Sequence, residues 1–109
     1  MEIKQLVEHA HENARQHGWH DNRRSFGELI ALCHSELSEA LEELRFGMEP
    51  NHAYYQNDGK PCGIPSELAD VVIRIADMCG MYGIDLEAAI AEKMEYNKTR
   101  PFKHGGKVI

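Results

Sequence analysis

The chain has 109 residues and a formal net charge of −6, with 42% hydrophobic, 28% charged and 7% aromatic residues. A length of this order fits one small domain, and the apolar fraction excludes an intrinsically disordered chain. The acidic balance excludes phosphate-backbone binding as the main task, no window is long and apolar enough to span a membrane, and Met1-Glu2-Ile3-Lys4-Gln5 lacks the layout of a secretory signal.

Periodicity predicts four helices and no strand. The first runs from about Ile3 to His17, with Ile3, Leu6, Val7, Ala10 and Ala14 on one face and Gly18 in the position a C-cap prefers. A polar connector from Trp19 to Arg24 follows. Ser25 and Glu28 then form a capping box for a second helix, whose stripe is Phe26, Leu29, Ile30, Cys33, Leu37, Ala40, Leu41 and Leu44. Gly47 ends it. The connection over 47–63 holds Pro50, Gly59, Pro61 and Gly63, and its length marks it as functional or mobile. Its Tyr54-Tyr55 pair is read as surface loop, with a lid over substrate as the alternative. Pro65 suits the first turn of a third helix, which reaches about Tyr82 before Gly83 breaks it. Asp85 caps the fourth, with Leu86, Ile90 and Met94 as its apolar face. From about residue 99 the chain becomes a Pro/Gly-containing tail that is expected to be flexible.

The expected fold is therefore all-α, a single bundle-like domain over residues 1–109 with a long loop at 47–63. The third helix carries Val71, Val72, Ile73, Ile75, Ala76, Met78 and Cys79 around most of its circumference. A helix apolar nearly all round needs cover on every side. A chain this short supplies little of it, so a homo-oligomer, a homodimer or homotetramer, is expected. Cys33, Cys62 and Cys79 are odd in number and lack CxxC spacing, as free thiols in a reducing cytoplasm would.

Charge is unevenly placed. Residues 28–44 carry Glu28, Glu36, Glu39, Glu42 and Glu43 with no Lys or Arg, while residues 93–107 are basic. An acidic element and a basic tail suit a polyanion held partly through cations. On the third helix, Glu67, Asp70, Arg74 and Asp77 fall within roughly 80° of one another at 100° per residue. A buried carboxylate is costly unless it is paired or bound to a metal. Arg74 can neutralise one, and Asp77 is read as its partner. If the second and third helices pack antiparallel, Glu36 and Glu39 face Glu67 and Asp70, with Glu43 above Glu36. Mutual repulsion among four such acids is relieved by a hard divalent cation, and all-oxygen ligation favours Mg2+ or Mn2+ over zinc. The competing reading, a solvated acidic face, stays open at this point.

Glu36-Leu-Ser-Glu39, then 27 residues, then Glu67-Leu-Ala-Asp70 resembles the ExxE…ExxD signature of the MazG-like all-α nucleoside triphosphate pyrophosphohydrolases. The surrounding His34–Arg45 and Gly63–Val72 segments, the Lys93-x-x-x-Asn97-x-x-Arg100 ending and His104-Gly-Gly-Lys107 agree with it, over roughly residues 18–107. The resemblance implies an oligomerising bundle and Mg2+ held by Glu36, Glu39, Glu67 and Asp70. It also implies hydrolysis of a nucleoside triphosphate between its α- and β-phosphates to a monophosphate and pyrophosphate. Glu39, with Glu36 as the alternative, is the expected base. Lys93, Asn97 and Arg100 are then candidates for phosphate or sugar contact.

Trp19 reads either as a stacking surface for the base or as a plug over a helix end. His9, His11 and His17 read as solvated positions on the first helix. Glu8-x-x-His11 has no second helical counterpart, so a di-iron carboxylate centre is not expected. Two rivals remain: a relative acting on another diphosphate linkage, such as phosphoribosyl-ATP, and a non-catalytic helical dimerisation module.

Overall fold

The structure, a computed structural model, describes residues 1–101. It is all-α apart from one two-stranded hairpin. In chain order the elements are α1 (Ile3–Gln16), α2 (Phe26–Arg45), β1 (Tyr54–Tyr55), β2 (Pro61–Cys62), α3 (Ile64–Tyr82) and α4 (Leu86–Lys98). The tail beyond 101, with His104 and Lys107, lies outside the described residues.

Local signals set these boundaries. The Glu28 amide donates to Ser25 Oγ at 3.1 Å and the Ser25 amide to Glu28 Oε1 at 3.0 Å, the reciprocal capping box expected for α2. The Ala88 amide donates to Asp85 Oδ1 at 3.0 Å at the start of α4. Gly83 closes α3 in the left-handed conformation, with φ 65°. Like Gly18 and Gly47, it occupies a backbone region that a side chain makes costly.

α3 is the central element. α2 packs along one side of it and α1 along another, while α4 touches chiefly α1. Gly80 explains how closely α1 approaches. A Cβ there would stand 2.6 Å from His11 Cβ and 3.4 Å from the Val7 carbonyl oxygen. Glycine inside a helix costs about 0.5–1 kcal/mol relative to alanine, and here it lets two helices meet.

The 47–63 connection is more ordered than its composition suggests. Tyr54 pairs with Cys62 and Tyr55 with Pro61 in antiparallel register, and the Gln56 amide donates to the Lys60 carbonyl at 3.0 Å. The Tyr54 hydroxyl donates to Glu43 Oε1 at 3.0 Å and the Ser66 hydroxyl to the Pro61 carbonyl at 3.2 Å, so the hairpin is tied to both flanking helices. Gly63, at φ 102°, joins it to α3, and a Cβ at 63 would collide with the His52 carbonyl oxygen.

The core is thin. Among the described residues, Ala10, Leu29, Ala40, Cys62, Ile64, Ala76, Met78 and Cys79 are its buried apolar members, and no large side chain is fully enclosed. The α2 stripe is wider than α3 can cover: Leu29 and Ala40 are buried, but Leu37 is 50% and Leu41 55% exposed. On α3, Leu68, Val72 and Ile73 are exposed too, so one chain leaves part of this apolar helix without the cover it needs. α4 buries no residue, and Ile90 and Met94 of its expected apolar face lie open. The radius of gyration, 16.4 Å, exceeds the value of about 13 Å for a compact domain of this length.

Candidate functional site

Three of the four acids expected to converge are brought together, and the fourth lies beside them. Glu36, Glu67 and Asp70 bring carboxylate oxygens within 4.8 Å of one another, and Glu39 stands beside Glu67, close enough to raise its affinity for a proton. Opposition of Glu36 to Asp70 and of Glu39 to Glu67 is what antiparallel helices with two Glu/Asp pairs at i, i+3 produce. The cluster straddles two hollows. Glu36 and Asp70 face a cleft of about 290 Å³ that Trp19, Arg74, Asn13 and His17 also line. Glu39 and Glu67 face a second, acidic groove with Glu42 and Glu43.

The electrostatics are those of an under-neutralised cluster. Glu36 is buried, and Arg74 Nη2 reaches its Oε1 at 2.7 Å while Nε donates to the same oxygen at 2.8 Å. No such partner serves Glu67: its Oε2 is buried, with no hydrogen-bond donor among the described residues. Burial, then the neighbouring Glu39, Asp70 and Glu36 carboxylates, push the Glu67 carboxyl up to about 7. Asp70 is raised by burial and by Glu36, while Arg74 and Lys60 pull it back. Lys60, at the hairpin turn, thus lies near enough to Asp70 to act on it. Four carboxylates against Arg74 and Lys60 leave a negative excess. Oxygen-only donors and an orphaned buried oxygen fit a hard divalent cation.

Two pairings differ from the sequence reading. Arg74 bonds Glu36 across the helix interface, not Asp77 on its own helix. Asp77, 5% exposed, instead meets His11 and His20: His11 Nδ1 lies 3.0 Å from Asp77 Oδ1, and His20 Nε2 lies 2.9 Å from the same oxygen. His11 is therefore half-buried against α3, whereas His9 and His17 are exposed as expected.

Trp19 lines the cleft with Glu36 and Asp70, and its ring is already engaged. The guanidinium carbons of Arg24 and Arg74 lie 4.3 and 4.6 Å from its ring centroid, and Arg24 Nη1 donates to its carbonyl at 2.9 Å. Lys93, Asn97 and Arg100 are not brought to this cleft. They sit at the far end of the chain around α4, where Lys93 and Arg100 approach the Tyr96 ring at 5.4 and 5.9 Å.

Sequence reasoning missed Asn13 and His17 as cleft residues and Lys60 as a neighbour of Asp70. Nothing in local spacing marks them, since tertiary packing alone puts them there. All three cysteines are free, and no helix among the described residues is long and apolar enough to cross a membrane. Comparison of the chain with protein-family models, with curated proteins and with solved structures found no match.

Proposed function

We propose that this protein is a divalent-metal-dependent nucleoside triphosphate pyrophosphohydrolase of the MazG-like kind, releasing pyrophosphate and a nucleoside monophosphate. The observation that carries the reading is the orphaned, buried Glu67 Oε2 among carboxylates from two helices. An acidic face that merely confers solubility has no reason to bury a charge without a partner. The paired ExxE and ExxD motifs supply the reaction class.

Glu36, Glu39, Glu67 and Asp70 would hold Mg2+, or Mn2+ in its place. The bound ion supplies Lewis-acid polarisation of phosphoryl oxygens and relief of the triphosphate's negative charge. The remaining work falls to the chain. Glu39, free of any hydrogen bond to Lys or Arg among the described residues, accepts on a carboxylate oxygen the proton of the water that attacks the α-phosphorus. The bond to the β-phosphate's bridging oxygen breaks, and pyrophosphate departs with that oxygen. Arg74 holds Glu36 in place, and Trp19 with the two guanidinium groups over its ring offers a flat wall against which a base can stack in the cleft. Lys93, Asn97 and Arg100 do not line the cleft of their own chain, so their phosphate contacts are assigned to α4, and to the Arg100 that follows it, of a second copy. The exposed faces of α2 and α3 support such an assembly.

The test is a panel of nucleoside triphosphates with Mg2+, read for pyrophosphate against orthophosphate. Pyrophosphate from at least one substrate, abolished by chelator, is expected. Orthophosphate as the direct product defeats the α–β assignment, and no release from any triphosphate favours the non-catalytic module. Glu39→Gln should lower kcat by about 10²–10⁴-fold while leaving the circular dichroism spectrum and melting profile intact.

A further inference from the structure

We propose that His11, His20 and Asp77 form a second metal site, for a first-row transition ion of the Zn2+ type, separate from the carboxylate cluster. The inference does not depend on the pyrophosphohydrolase reading.

Three elements converge to make it. His11 comes from α1, His20 from the connector after Gly18, and Asp77 from α3. Asp77 Oδ1 is faced by His11 Nδ1 at 3.0 Å and by His20 Nε2 at 2.9 Å, and His20 Nε2 also lies 3.0 Å from Oδ2. One ligand atom from each of His11, His20 and Asp77 lies within 4.8 Å of the other two, close enough for small side-chain shifts to bring all three to the roughly 2.0–2.1 Å that one ion requires. The Asp77 and His20 side chains are only 7% and 11% exposed. Among the described residues no Lys or Arg pairs with Asp77, because the nearest candidate on its helix, Arg74, is committed to Glu36. An ionised carboxylate enclosed between two imidazoles lacks a countercharge unless a ring is protonated or a cation is held. The backbone fixes both histidines in advance. Gly80 admits the His11 Cβ against α3, and the Trp19 amide, donating to the Ala14 carbonyl at 2.9 Å, turns the connector back beside α1.

The donor set selects the ion. Two imidazole nitrogens and one carboxylate suit Zn2+, Co2+ or Ni2+ and discriminate against Mg2+, which takes oxygen. Asp77 and Asp70 are separated by seven positions of one helix, a rise of about 10 Å. That exceeds the roughly 3.5–4 Å spacing of a two-metal centre, so the sites fill independently. Three protein ligands leave a further coordination position, and Asp77 borders the same cleft as Glu36 and Asp70.

The test titrates the full chain with Co2+, following its visible absorption, and then displaces it with Zn2+. In the Glu36→Gln/Glu67→Gln double variant, where the carboxylate cluster no longer competes, one equivalent should bind, and its affinity should weaken by about tenfold or more when His20→Gln or His11→Gln is added. In the unaltered protein Zn2+ should shift the ring-nitrogen NMR signals of His11 Nδ1 and His20 Nε2 and leave His9 and His17 unmoved, a readout that needs no variant to fold. Absence of saturable Co2+ binding, binding indifferent to both histidine variants, or shifts confined to other histidines would overturn the proposal and leave a hydrogen-bonded trio only. A failed pyrophosphate panel would not touch this result, nor would a failed titration touch the panel.

Discussion

Glu67 concentrates the energetic tension of the molecule in one side chain. Its folded-state carboxyl is raised from 4.5 to about 7 by burial and then by Glu39 and its other acidic neighbours. The metal-free folded protein therefore binds an extra proton between those values, and its stability falls as pH rises from about 4.5 to 7. Glu67→Gln removes that loss. With water in the acidic groove screening part of it, we expect a gain of about 1 kcal/mol at neutral pH, or roughly 4–8 °C in Tm. The advantage over the unaltered chain should vanish near pH 4.5. Thermal melts of both proteins across that range, with chelator present, check the sign. Saturating Mg2+ should reverse the order, because the variant has lost a ligand.

Asp77 shows where residue-scale reading of the sequence stops. Its place in the polar seam of α3 was legible, and so were the two ExxE/ExxD pairs, because both follow from helical spacing within one element. The partner choice was not. Arg74 is three residues from Asp77 on one helix, an arrangement worth only a few tenths of a kcal/mol. A desolvated bond to Glu36 outweighs it, and that bond exists only once α2 and α3 pack. His20 and His11 then take the vacated carboxylate. No sequence interval relates residues 11, 20 and 77.

At the scale of elements, helix ends were the most legible feature, since caps are local chemistry: Ser25 with Glu28, Asp85, Gly18 and Gly83 all act where spacing put them. The hairpin was not legible, because strands of two residues carry no alternation to detect. Gly80 was equally silent, being one more small residue on an apolar helix, yet it sets the distance between α1 and α3. Gly80→Ala should force His11, and α1 with it, outward from α3 and cost about 1–3 kcal/mol, the range for overpacked interiors, measured by urea denaturation. The same variant should broaden or split the His11 ring signals, because its Cβ is the atom displaced.

At the scale of the whole molecule, the open apolar faces of α2 and α3 dominate. Leu37, Leu41 and Leu44 on α2, with Leu68, Val72 and Ile73 on α3, are all exposed in the single chain. Burying them against a second copy would add the cover that α3 lacks, at about 25 cal/mol per Å² of apolar surface. Sedimentation should find an oligomer, with a Tm that climbs with protein concentration. Leu41→Glu combined with Val72→Glu should yield monomer and abolish the concentration dependence. Mg2+ at about 100 times its dissociation constant should stabilise the folded state by about 2.7 kcal/mol, an increment missing in Glu36→Gln/Glu67→Gln.

The weakly seated α4 gives a way to watch such assembly directly. It buries nothing of its own and rests chiefly on α1, so in dilute protein its amides should exchange with deuterium through local opening, well before those of α3. If neighbours clamp it, raising the concentration will slow exchange along 86–98 while leaving the interior of α3 almost unchanged. That last helix would then serve as a built-in gauge of subunit occupancy, readable peptide by peptide without any label.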